Sequence, residues 1–105
     1  MRKSAIELRT VDADTGVLIE ASGSLDIRTV GRLEEAVEAG LSRGRPVAVD
    51  LSHVDFCDST GLGMMVRLHR RAAAAGASFA VRHPQTHVAD VLAMTGIDKI
   101  LTVER

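Results

Sequence analysis

The 105-residue chain has no tryptophan, no tyrosine and only two phenylalanines. Its core must therefore be assembled from Val, Leu, Ile, Ala and Met, and the aromatic platforms on which single-strand nucleic-acid binders stack bases are missing. A single cysteine excludes an internal disulfide and suits a reducing compartment. Neither sign of charge dominates, since 13 Lys and Arg stand against 14 Asp and Glu. With the basic residues scattered, the electrostatic footprint of a DNA-binding domain is absent. No apolar run approaches the roughly 20 residues of a membrane span. Met1-Arg2-Lys3-Ser4 leads into alternation rather than an apolar segment, so no secretory leader is expected. What is present is globular: 46% hydrophobic and 26% charged residues, with no repeat, linker or low-complexity stretch. A chain of this length forms one domain and buries roughly 60–70% of its unfolded surface. A cytoplasmic location is the expectation.

Pattern and punctuation predict the order ββαβαβαβ. Ile6 and Leu8 alternate with Glu7 and Arg9, the turn Asp12–Gly16 follows, and Val17–Ala21 is a second strand, together a hairpin. Ser22-Gly23-Ser24 reads as a break. Val30, Leu33, Val37 and Leu41 recur at helical spacing, with Asp26 or Thr29 as the cap and Glu34, Glu35 and Glu38 on the other face. Val47–Leu51, launched by Pro46, is a buried strand. A long helix runs from Ser59 to Gly76, its apolar stripe including Leu62, Met65, Leu68 and Ala72, and Arg67, Arg70 and Arg71 suit its dipole. Met64 and Met65 are consecutive and cannot share one helix face, so one of them is expected outside. Ala77–Val81 is a strand, Val88, Val91 and Leu92 pattern a short helix, and Ile100–Val103 closes the chain as a strand. The fold class is α/β: a single domain with a mixed sheet of about five strands and three or more helices packed on it.

The chemistry concentrates at Asp58-Ser59-Thr60-Gly61, where the Val47 strand gives way to the long helix. Side-chain oxygens of Ser, Thr and Asp accept the unpaired N–H groups of a helix N-terminus, so the plain reading is a cap. A nucleophilic serine would need Gly-x-Ser-x-Gly, but Cys57 holds the first glycine position. Gly61-Leu62-Gly63 has the spacing of neither a phosphate-binding loop nor a dinucleotide fingerprint. His53, His69, His83 and His87 lack metal-ligand spacing with Cys57, which reads as a small buried hydrophobe. A third reading makes Ser59 a phosphoacceptor, because a helix N-terminus offers free N–H groups and a positive dipole end. Neither metal nor cofactor is called for.

At these residues the chain resembles the STAS family, and within it the bacterial anti-sigma factor antagonists. The matching pieces are Gly23-Ser24-Leu25-Asp26, Val49-Asp50-Leu51-Ser52, Phe56-Cys57-Asp58-Ser59-Thr60-Gly61-Leu62-Gly63 and Met94-Thr95-Gly96-Ile97. The resemblance implies a non-enzymatic switch. A partner that is both anti-sigma factor and serine kinase phosphorylates Ser59, the unmodified protein binds that partner and frees sigma, and a serine phosphatase resets the cycle. It places Asp26 and Asp58 near the docking surface. The partner-binding set expected is Asp26, Asp58, Ser59, Thr60, Gly61 and Leu62, with Thr60 the alternative acceptor. Ile27-Arg28 departs from the more polar pair common in that family. Two other readings stay open: a constitutive STAS adaptor, as in a lipid-transport ATPase or a stress-signalling assembly, and a small hydrolase.

Overall fold

Strict alternation of apolar and polar residues writes a one-sided sheet. In the computed structural model, which describes residues 6–105, Val17, Ile19 and Ala21 are buried while Leu18, Glu20 and Ser22 between them are not. The chain start Met1–Ser4 lies outside the described residues. The strands are β1 (Ile6–Ala13), β2 (Gly16–Leu25), β3 (Val47–Cys57), β4 (Phe79–Arg82) and β5 (Thr102–Glu104). They pair in the order β1-β2-β3-β4-β5, the first pair antiparallel and the rest parallel. The helices α1 (Val30–Leu41), α2 (Ser59–Ala74) and α3 (Thr86–Met94) fill the crossovers. Parallel strands that advance steadily across a sheet through right-handed crossovers place every helix on the same face. Val49, Leu51 and Val81 from the strands meet Leu33, Val37, Met64, Leu68 and Leu92 from the helices in one core. The opposite face carries no described element.

Several corrections follow from packing. Ser22-Gly23-Ser24 does not break β2, which runs to Leu25 through two register shifts against β3. Likewise β3 passes Leu51 and ends at Cys57. The polar residues there sit on the open face or at bulges, where a strand needs no apolar partner. Met64 and Met65 are both buried, at 0% and 1% exposure. Helix α2 lies on the sheet and against α1 at once, so its covered surface is wider than a single stripe. For the same reason Glu34 and Glu38 do not face water alone. Glu34 pairs with Arg67 at 3.1 Å, and Glu38 pairs with Arg71, stitching α1 to α2. The final strand is Thr102–Glu104, preceded by a 3₁₀ turn at Ile97–Lys99.

Candidate functional site

Parallel pairing brings Leu25 opposite Cys57 at the carboxyl ends of β2 and β3. The residues just beyond, Asp26 and Asp58, therefore emerge side by side on one edge of the sheet. Such an edge is where open α/β sheets gather their functional groups, because helix N-termini converge on it. The Asp58 N–H donates to the Leu25 carbonyl at 3.1 Å, locking the two exits together.

Asp58, rather than Ser59, caps α2. Its Oδ1 accepts the N–H groups of Thr60 at 2.9 Å and Gly61 at 3.1 Å. Ser59 is then the first helical residue, and it is exposed. Thr60 is half-buried, and Gly61 and Leu62 are buried. A Cβ built on Gly61 would lie 2.7 Å from Cys57 Sγ and 3.1 Å from Leu25 Cβ. Only glycine lets the helix seat this close to the strand ends. Gly61 and Leu62 thus serve the site from beneath, while Asp58 and Ser59 form its surface. Asp58→Ala is expected to cost about 1 kcal/mol, within the 0.5–2 range of lost helix caps. Asp58→Asn retains most of that in urea unfolding.

Asp26 is neither the cap of α1 nor a free carboxylate. Its Oδ1 accepts the Arg28 N–H at 2.9 Å, and its carbonyl accepts the N–H groups of Thr29 and Val30. Thr29 occupies the cap position, but its hydroxyl turns back to donate to the Ser24 carbonyl at 2.7 Å. Only 1% of Thr29 is exposed, so this turn is pinned from below; it presents Ile27 outward and leaves the Asp26 side chain 16% exposed. Ile27 is 77% exposed and Phe56 is 52% exposed, Phe56 pairing with Ser24 across the strands. The residue pattern did not single out this apolar pair. Alternation points the wrong way for Phe56, because it would turn Phe56 inward with Val54, the last core position of β3. The register shift between Gly23 and Ser24 turns it out.

The third helix closes the edge. Gln85 Nε2 donates to the Ser52 carbonyl at 3.0 Å, and the His87 ring contacts the Asp55 carbonyl. Cys57, with its side chain under α2, has its thiol pushed up to about 12 by burial and then by the negative charge of Asp58. It is no nucleophile at neutral pH. Among the described residues, no group of three His, Cys, Asp or Glu is arranged to hold a metal ion. No helix there is long and apolar enough to cross a membrane.

The family described as "Mlab, STAS domain" matches residues 8–103, which include both strand ends and the Ser59 turn. The chain belongs to the STAS domain family. This STAS domain is 36% identical over 62 residues to anti-sigma-B factor antagonists of Staphylococcus epidermidis and Staphylococcus aureus. The aligned part is 58% of this chain and 57% of each relative, so the chain spans little more than half the length of the curated relatives it matches. The crystal structure of an anti-sigma factor antagonist from Mycobacterium paratuberculosis superposes with a TM-score of 0.79 at 27% identity, covering 98% of this chain and 88% of that one. The anti-sigma factor antagonist SpoIIAA in its unphosphorylated form shares the fold, with a TM-score of 0.75 at 19% identity over 96% of this chain and 89% of that one.

Proposed function

We propose that this STAS domain is an anti-sigma factor antagonist whose docking surface is switched by phosphorylation of Ser59. The observation that carries the reading is an exposed hydroxyl on the first residue of α2, directly after the Asp58 cap, at the sheet edge that also carries exposed Ile27 and Phe56. Support for the role comes from the anti-sigma-B factor antagonists that this chain resembles. The docking set is Asp26, Asp58, Ser59 and Thr60, with Gly61 and Leu62 holding the turn in place. Its partner is an anti-sigma factor with serine-kinase activity, a serine phosphatase reverses the modification, and the exchange takes place in the cytoplasm. The domain acts as substrate and ligand rather than as enzyme.

The electrostatics of the edge make the switch work. A neutral serine hydroxyl enters an interface at modest cost. A phosphate adds about −1.5 to −2 charges beside the Asp58 and Asp26 carboxylates. The α2 dipole returns only about 0.3–1 kcal/mol to an anion at so exposed a position. Covering that charge with an apolar partner surface costs more than the dipole gives back, so the partner leaves. With the cognate kinase and ATP, the native chain takes up phosphate and Ser59→Ala does not. Ser59→Glu binds the partner about tenfold or more weakly than Ser59→Ala. Undiminished phosphate uptake by Ser59→Ala would move the acceptor to Thr60, and recovery of a transporter ATPase from native lysate would replace the antagonist reading with the adaptor one.

A further inference from the structure

The helix-free face of the sheet is written as a ladder of charge. Cross-strand pairing sets Arg9 beside Glu20, Glu20 beside Asp50, Asp50 beside Arg82 and Arg82 beside Glu104, one residue from each strand in order. The signs across the sheet are plus, minus, minus, plus, minus. The next rung towards the hairpin turn is apolar as far as β4, Val11 beside Leu18, then Ala48, then Ala80, and ends on Thr102 of β5. Above the two alanines lies a shallow groove of about 260 Å³, floored by Leu18, Ala48 and Ala80 and edged by Arg82 and Glu104. Parallel strands are usually covered on both faces, and the described residues cover these on one.

Reversing the ladder end for end yields minus, plus, minus, minus, plus. Set against the original, every position except the middle one meets the opposite sign. A two-fold axis parallel to the strands and over β3 performs this reversal when one sheet is stacked on a second copy. It lays Glu20 on the partner's Arg82, Arg9 on the partner's Glu104, and Leu18 into the groove above the partner's Ala80. A two-fold axis across the strands on this rung would instead oppose each charge to itself. Charge thus selects one of the two face-to-face arrangements.

We propose that this face is a self-complementary interface through which two copies of the chain form an isologous dimer. Aligned sheets cross at about −30°, which lifts the corners apart and leaves the central strands in contact. The symmetric Glu20–Arg82 pairs therefore carry the recognition, and the Arg9–Glu104 pairs stand at the rim. The central position works against association, because Asp50 meets its own copy. Burial works to raise the Asp50 carboxyl, but hydrogen bonds from Ser52, with the nearby His83 and His53, together outweigh it and hold the group below the usual range, so it stays charged at neutral pH. The dimer belongs to the weak, concentration-dependent class of interfaces. Both strands' carboxyl ends point the same way in it, so two Ser59 edges open on one side, clear of the contact.

Sedimentation velocity over a concentration series tests this. The native chain passes from monomer to dimer, and Glu20→Arg and Arg82→Glu each weaken self-association by about tenfold. Mixed together, these two variants associate with each other more tightly than either does with itself, since each reversed charge now meets its opposite. Asp50→Asn tightens the native dimer. Circular dichroism of each variant confirms that these charge changes leave the fold intact. A native chain that stays monomeric throughout, a dimer indifferent to both reversals, or a mixture no tighter than its components overturns the proposal.

Discussion

Gly61→Val lowers the stability of this domain towards the upper end of the about 1–3 kcal/mol that overpacking costs. The new Cβ would stand 2.7 Å from Cys57 Sγ and 3.3 Å from the Leu25 carbonyl oxygen, and the β-branch adds methyls to a space already filled. Rotation of the Cys57 side chain relieves only the sulfur contact, because Leu25 Cβ and carbonyl oxygen are fixed by a paired strand whose carbonyl already accepts the Asp58 N–H. The helix start must therefore lift, weakening the Asp58 cap as it goes. For a domain near 100 residues each 1 kcal/mol lowers Tm by about 4–8 °C, so the loss is plain in a thermal melt. Cys57→Ala separates the contributions. In that background Gly61→Ala costs less than in the native chain, since the sulfur is gone. It still costs something, since the Leu25 atoms remain. Equal penalties in both backgrounds would show that Cys57 is not the obstacle.

The second large effect concerns the same contact. At pH 8 a thiol with a pKa of about 12 is ionised to roughly one part in ten thousand, against about one part in ten for a thiol at 9.0. Native Cys57 should therefore react with a thiolate-selective reagent about a thousandfold more slowly than the unfolded chain. The pH dependence has a definite sign. The folded state holds this proton more tightly than the unfolded one, so the stabilisation is intact below about pH 9. It is lost as pH rises from there through about 12. Labelling as fast in the native protein as in urea would mean that the α2 N-terminus is not seated on Cys57.

Both experiments probe a contact invisible to residue patterns. Composition gave no reason to place Cys57 against Gly61, since their encounter depends on where β3 ends and how α2 turns back on it. The order of strands and helices was legible, because each core position recurs with the period of its own element, as at Val17, Ile19 and Ala21 or Val30, Leu33 and Val37. Element ends were less so. Ser22-Gly23-Ser24 reads as a breaker locally and is strand in fact, because pairing with β3 satisfies its backbone and the open face asks for no apolar side chain. Met64 and Met65 resisted for a related reason: a helix in contact with both a sheet and a neighbouring helix buries more than one stripe.

By itself the sequence determined the α/β order and Asp58-Ser59-Thr60-Gly61 as the start of the long helix, both through local periodicity and capping chemistry. Tertiary structure decided which of those residues is cap and which is surface. It also decided that Asp26 stands beside Asp58, that Ile27 and Phe56 are exposed at that edge, and that the charges of five strands fall into one ladder. Each of these is a matter of strand register, and register is set by pairing between segments that lie far apart in the chain.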